Sequence, residues 1–419
     1  MTRRAPAHFV WLVYRGGWGF IGTLSWTTAA VYFIREVGMS PLQLVLAGTA
    51  LEVAYFCFEI PTAIVADLHS RRLSVIIAAV MSGLAMIWIG LIPVAGWVIA
   101  GMALWGFGWT FRSGAEDAWL ADEVGSRGLG GSYQRGAQVA RVTGLLGIAG
   151  AVGLALVDLR LPFVAAGGSS ILLAAYLTIA MPEHGFVPAE RHELNALTTM
   201  MSTTKAGARV IRASPILLLI VVISVLVGAF EEGFDRLWEA HLLLEVGLPS
   251  IGGLGNVVWF GLLAAATLVL AFSVAAPLVS RVEKLQKQRL ARLLVVLHAS
   301  LMVCALVFAL AGSLWLAVAA YLATAVVRDL SAAPFSTWLN EAITDSTVRA
   351  TVLSITSVAG SLGEWSGGPA LGLIGNRWGV RAALTTGAVL LAPAVLLFAR
   401  AIRHQGSLAE SPTGDHTEG

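Results

Sequence analysis

The chain alternates long apolar runs with short polar gaps. A helix needs ~20 mainly apolar residues to cross a bilayer. On that length the runs predict twelve spans, at about 9–34, 41–66, 73–93, 96–120, 137–157, 161–181, 214–244, 254–280, 291–311, 313–339, 350–375 and 378–402. Helix breakers fill the gaps: Gly38 and Pro41, Pro93 and Gly96, Gly125–Gly131, Pro182, Pro249–Gly253, and Gly375. Arg3 and Arg4 precede a first run that continues past residue 30. That run is too long for the apolar core of a cleaved signal, so the first span is expected to be retained. Gly144, Gly147, Gly150 and Gly153 are spaced to let helices approach closely, as are Gly360, Gly363 and Gly367.

Composition agrees with this pattern. Apolar residues make up 57% of the 419 and charged residues 12%, roughly half the charge of a soluble domain. The predicted class is an all-α polytopic membrane protein with 12 transmembrane helices. Cys57 and Cys304 lie inside apolar runs and are expected as core packing residues rather than a disulfide. The net charge of +2 says little; the placement of the charges says more. Eighteen of the 27 Lys and Arg fall on the side that carries the N-terminus and the even-numbered loops, four fall on the other side, and five lie inside spans. By the positive-inside rule both termini are cytoplasmic.

The longest polar segment, 182–213, reads as a cytoplasmic linker. It divides the chain into an N-terminal six-helix bundle (1–181) and a C-terminal one (214–404), with a disordered cytoplasmic tail at 405–419. Equivalent span ends repeat across the linker. Arg35-Glu36-Val37-Gly38 answers to Leu244-Glu245-Val246-Gly247, and Trp119-Leu120-Ala121-Asp122-Glu123 to Trp338-Leu339-Asn340-Glu341. Arg135 before span five matches Arg349 before span eleven. Two parallel six-helix pseudo-repeats follow.

The turn between spans two and three carries Asp67, His69, Arg71 and Arg72. With twelve spans, a 6+6 repeat and a central loop, it resembles the major facilitator superfamily. That family's hallmark at this turn is Gly-x-x-x-Asp-Arg-x-Gly-Arg-Arg. Asp67, Arg71 and Arg72 match it; Ala63, Leu68 and Ser70 depart. The resemblance implies a cytoplasmic latch between the two halves, to which Glu59, near the same end of span two, is assigned. The alternative is that Arg71 and Arg72 only anchor the membrane face. Proton-coupled exporters of the superfamily carry a Gly- and Pro-bearing motif in span five. Here span five has the glycines but no Pro, and Gly367-Gly368-Pro369 appears in span eleven instead. Arg112 resembles the buried span-four arginine of proton-coupled members, although Ser113-Gly114-Ala115-Glu116 departs from their pattern.

Charges inside spans are costly and normally face a bundle interior or a watery cavity. In span four Arg112 and Glu116 stand four apart on one helical face, as a proton or substrate site or as a structural ion pair. Span seven carries Glu231, Glu232, Asp235, Arg236 and Glu239, with Glu231, Asp235 and Glu239 on one face. Such close carboxylates cannot all stay ionised in a low dielectric, which suits a proton carrier or a cationic substrate. The alternative ends the helix near 232 and leaves the acids in water. In span one Arg15, Gly19, Gly22 and Trp26 form a stripe with Trp18 beside it, suited to an anionic or aromatic ligand unless Arg15 snorkels to the interface. Further candidates are Glu52 in span two, Arg141 in span five, Arg328 and Asp329 in span ten, and Glu364 among the glycines of span eleven. Arg328 is the counterpart of Arg112 in the repeat, and Pro334 is expected to kink its helix. Trp11, Trp97 and Trp378 are expected at the interfaces; Trp18, Trp26, Trp105, Trp109, Trp119, Trp238 and Trp338 are pocket candidates suited to a bulky amphipathic ligand.

The function these features favour is secondary active transport, as proton-coupled efflux of an amphipathic organic compound by alternating access. A proton-coupled importer of a small metabolite is the alternative. An intramembrane enzyme is disfavoured, since there is no His-Glu-x-x-His and Gly168-Ser169-Ser170 has no obvious His partner. A sensor or scaffold is disfavoured too, and no Walker-type phosphate loop points to ATP. The expected partners are a small-molecule substrate, protons and membrane lipid, with no nucleic acid, metal or cofactor. The proton gradient is the energy source, and the protein is expected to be a monomer in a bacterial inner membrane.

Overall fold

Helix starts and stops follow local chemistry. The helix opening the second span begins at Pro41, behind a capping box in which Ser40 Oγ accepts from the Gln43 backbone N–H and the Gln43 side chain returns a bond to Ser40 N–H. The next helix is capped by Ser70, whose Oγ accepts from Leu73 N–H at 2.9 Å. The computed structural model describes residues 5–188, 205, 208–251, 255–271, 273, 287–343 and 349–409. Most of the expected linker (189–204 and 206–207), the basic residues Arg281 and Lys284, and the tail from 410 lie outside the described residues.

The helices are α1 (Ala7–Trp26), α2 (Ala29–Arg35), α3 (Pro41–Leu68), α4 (Arg71–Leu91), α5 (Ala95–Thr110), α6 (Ala115–Val124), α7 (Ser126–Ala155) and α8 (Leu161–Ala180). They continue with α9 (Pro215–His241), α10 (Val257–Leu270), α11 (Lys287–Leu310), α12 (Leu314–Ala342), α13 (Arg349–Trp378) and α14 (Val380–Ala409). A π-helical turn, Leu242–Val246, extends α9. Among the described residues, eight helices are long and apolar enough to cross a membrane. Leu146, Leu172, Ile179 and Leu396 are exposed on their outer faces. Apolar surface of this extent suits lipid rather than water. The protein is an all-helical integral membrane protein.

The structure departs from the apolar pattern in several places. Span one breaks at Thr27–Thr28, where Thr27 Oγ1 donates back to the Thr23 carbonyl at 2.6 Å and competes with the backbone ladder. Span four breaks at residues 111–114 around Gly114, whose φ of +73° disfavours any residue with a Cβ. Gly128, Gly130 and Gly131 do not break the chain; α7 starts at Ser126 and runs through them, and only Gly125 interrupts it. The sequence sets α9 to end near 232 or to continue, and it continues. Cys57 is exposed rather than packed in the core. Trp11 is buried rather than interfacial, donating to the Ser132 carbonyl at 2.9 Å. α14 reaches Ala409, past the expected start of the tail at 405.

Two compact units are present. One draws on Met1–Asn195, Arg236–Leu268 and Gly372–Val380, the other on Ala196–Asp235, Val269–Leu371 and Arg381–Gly419. Their boundaries differ from the expected halves 1–181 and 214–404. The core of the first joins Trp11, Tyr14 and Ile21 of α1 to Val75 and Met86 of α4 and Leu177 of α8. The core of the second joins Ile220 and Ile223 of α9 to Leu294, Trp338, Val352 and Phe398. Small residues carry the tightest crossings. A Cβ on Gly19 would meet the Ala140 backbone, and Thr23 Oγ1 crosses the same interface to the Gly144 carbonyl at 2.8 Å. In the second unit Gly363 faces the Val225 backbone and Gly367 faces Ala229.

Candidate functional site

The break in span four builds the first site. Because α5 stops at Thr110 and α6 restarts at Ala115, Glu116 falls in the first turn of α6, where the positive end of the helix dipole favours a carboxylate. Arg112 sits within the break, and its Nε lies 3.2 Å from Glu116 Oε2. The expected pair therefore forms, but with Arg112 in the break and Glu116 in the new helix rather than along one continuous helix. Two residues of α1 complete it. Tyr14 donates its hydroxyl to Glu116 Oε2, and Arg15 Nη1 lies 3.5 Å from Oε1. The Arg112 and Glu116 side chains are only 13% and 12% exposed.

Aromatic rings fix the guanidiniums. The Arg112 Cζ lies 3.9 Å from the Trp109 ring centroid and 4.7 Å from that of Trp18. Cation–π contacts of this kind contribute about 0.5–2 kcal/mol each, more when desolvated. Trp109 packs edge-on to Trp105, and Trp105 meets Trp26 at 4.8 Å between centroids. Trp26 thus belongs to an aromatic row that starts at Arg112 and continues to Phe163. The site joins one carboxylate to two guanidiniums and a phenol. Protonating Glu116 would cancel the charge that both arginines bind.

The second site lies in the other unit. Arg328 of α12 donates to both carboxylate oxygens of Asp235 on α9, at 2.5 and 2.9 Å, and its Nη2 lies 3.5 Å from Glu231 Oε1. This fork geometry is specific to arginine. Spans one and four, and spans seven and ten, are each joined by a charge pair, with the arginine and carboxylate exchanged between the equivalent helices.

The remaining candidates divide. Glu364 lines a cavity with Glu231 and Arg328. Glu232 is buried, Arg236 half-buried, and Asp329 and Arg141 are exposed. Glu52 is half-buried on α3. Glu59 is not tied to the turn; it accepts from Tyr55 at 2.8 Å, and Tyr55 also bonds Ser113 in the span-four break at 3.1 Å. Trp119 and Trp338 are core residues. At the turn, Arg71 pairs with Asp122 and, at 3.8 Å, with Asp67, while Arg72 donates to the Thr178 carbonyl. Ser70 and the Arg72 backbone N–H bind the Glu183 carboxylate. All of these bonds stay within one unit. On the opposite loops Glu36 pairs with Arg160, and that hydrogen bond pushes the guanidinium above its ordinary value. The sequence gives no sign of Tyr14 or of His298, which lines the cavity of the second unit. A tyrosine one residue before Arg15 and a lone histidine in an apolar helix look like ordinary core residues.

An all-helical membrane fold with charge clusters held inside its bundles is the architecture of a membrane transporter. Residues 16–367 match the family model of the Major Facilitator Superfamily, and the chain belongs to that family. It is 22% identical over 358 residues to the uncharacterized MFS-type transporter YxaM of Bacillus subtilis (strain 168), covering 85% of this chain and 86% of that one. Its fold is similar to the crystal structure of the nucleoside transporter NupG, with a TM-score of 0.74 at 10% identity over 95% of this chain and 100% of that one. It is also similar to a bacterial homologue of the human lysosomal transporter Spinster in an inward-facing, unoccupied conformation, with a TM-score of 0.72 at 16% identity over 95% and 96%. A POT family transporter in complex with a thioalcohol-conjugated peptide has a TM-score of 0.72 at 11% identity, over 96% of each chain.

Proposed function

We propose that the protein is a proton-coupled secondary transporter that exports an amphipathic organic compound by alternating access. The observation that supports this most directly is the Glu116 cluster. One membrane-embedded carboxylate is held by Tyr14, Arg15 and Arg112. In this reading Glu116 carries the proton. When it is ionised, both arginines and the phenol are locked onto it. When it is protonated, the Coulomb attraction is lost and the guanidiniums keep only their aromatic neighbours. Coupling follows if substrate binds one of these arrangements in preference to the other. The aromatic row from Trp109 to Trp26 favours an amphipathic substrate. Arg328, Asp235 and Glu231 form the corresponding switch in the second half.

The energy source is the proton gradient, with no cofactor. The protein works as a monomer in the inner membrane, with both termini cytoplasmic and two six-helix halves, 1–181 and 214–404. The test is transport in proteoliposomes with an imposed pH gradient, using fluorescent amphipathic compounds as probes. Flux that follows the gradient and collapses when the gradient is dissipated is expected. Flux that is unchanged on dissipation overturns proton coupling.

A further inference from the structure

A cavity of about 400 Å³ opens inside the second unit, with Ser224, Glu231, His298, Arg328, Thr356 and Glu364 on its wall. Its hydrogen-bonding character is lopsided. Ser224 donates its hydroxyl proton to the Ile220 carbonyl at 3.0 Å, Ser331 to Val327 at 2.7 Å, and Thr356 to Val352 at 2.9 Å. Each of these hydroxyls has given its only proton to its own helix and offers the cavity lone pairs alone. His298 is held the same way. Its Nδ1 lies 2.9 Å from the Leu294 carbonyl, and a carbonyl only accepts, so in the neutral ring the proton sits on Nδ1 and Nε2 carries the lone pair. The ring is 4% exposed, lies 4.4 Å from the Phe398 ring, and forms no other hydrogen bond among the described residues. The one strong donor on the wall, Arg328, is engaged by Asp235 and Glu231. Only Ser336 and Ser357 add hydroxyls able to donate.

Charge points the same way. The single guanidinium faces two carboxylates, Glu231 and Asp235, so this cluster carries a net negative charge, and the Glu364 carboxylate stands on the same wall. Leu301 and Phe335 supply an apolar side. We infer that this cavity binds the protonated amine of a small organic cation. Its N–H groups bond to His298 Nε2, Glu364 and the hydroxyl lone pairs, and its apolar part lies against Leu301 and Phe335. The inference rests on the transport reading only in taking the bound amine for a transported compound.

Three probes built on one phenylethyl scaffold separate the possibilities: 2-phenylethylamine, 2-phenylethanol and 3-phenylpropionate. Binding to the full chain in nanodiscs, with no gradient, is measured by calorimetry. The amine is expected to bind about tenfold or more tightly than the alcohol, as a charge-assisted hydrogen bond warrants, and the carboxylate more weakly still. Glu364→Gln and His298→Phe are each expected to erase most of that preference. If His298→Phe does not fold, Glu364→Gln and the three-probe series decide. Equal binding of amine and alcohol, a preference for the carboxylate, or an amine preference untouched by the foldable variants overturns the inference. Amine flux in proteoliposomes then separates the two ideas. Preferential binding without flux overturns the transport reading and leaves the site standing. Gradient-driven flux of other compounds without amine preference overturns the site alone.

Discussion

Arg112 and Glu116 meet at 3.2 Å at a break in the span that carries them. The break places Glu116 in the first turn of α6 and leaves Arg112 between the rings of Trp18 and Trp109. A straight helix would keep the pair four residues apart but would lose the new helix start beneath the carboxylate. The irregular backbone is tolerable inside a membrane protein where it lines a polar site.

Gly114 is the residue that permits the break. Its φ is +73°, and a Cβ there would meet nothing within 4 Å, so backbone strain is the only penalty. Gly114→Ala is expected to destabilise the protein by about 1–3 kcal/mol and to lower transport. Gly130→Ala, at an open helical position of α7, is expected to be neutral or stabilising by about 0.5–1 kcal/mol. Thermal unfolding in detergent distinguishes the two; equal midpoints would contradict the role of Gly114.

Glu116→Gln leaves two arginines without their counter-charge. A loss of about 3–5 kcal/mol is the usual result of removing one partner of a buried pair. Gradient-driven transport is expected to stop. Tyr14→Phe removes one hydrogen bond to the charged carboxylate and is expected to cost about 1.5–3 kcal/mol, with slower transport rather than none. The check is proteoliposome flux beside unfolding midpoints, and normal coupled flux in Glu116→Gln would exclude it as the proton carrier.

The α1–α7 crossing depends on Gly19, where an added side chain would enter the Ala140 backbone. Gly19→Val is expected to cost more than the about 1–3 kcal/mol typical of overpacking, since backbone rather than a flexible side chain must move. Gly22→Ala has open space and is expected to be tolerated. Monodispersity on size exclusion after extraction reads the difference.

Arg328 and Asp235 are joined by two parallel hydrogen bonds. A double-mutant cycle with Arg328→Ala and Asp235→Ala is expected to give a coupling energy of about 0.5–3 kcal/mol. Arg328→Lys is expected to recover little of it, because a single ammonium cannot form the fork. Additive single effects would show that the contact is energetically silent.

Particular residues show how much could be read before folding. Arg112, Glu116, Asp235 and Arg328 stand out from sequence because a charge in an apolar run needs a partner, and all four have partners. The sequence pairs Arg112 with Glu116 by spacing alone and finds half of the contact; Tyr14 and Arg15 arrive from a helix about a hundred residues away. Glu59 reads as part of the charged turn, yet Tyr55, one helical turn earlier, binds it instead. His298 passes as a packing residue until the fold sets its Nδ1 against the Leu294 carbonyl and places the residue on the cavity wall.

The sequence by itself determined the helical membrane fold, the family and the residues that could carry charge inside the bilayer. It could do so because apolar length and the cost of buried charge are local properties of a chain. Tertiary structure alone decided where spans one and four break, which carboxylate each arginine holds, and which lone pairs face the second cavity. Those outcomes depend on which helices become neighbours and which backbone groups are already satisfied, and no run of adjacent residues records either.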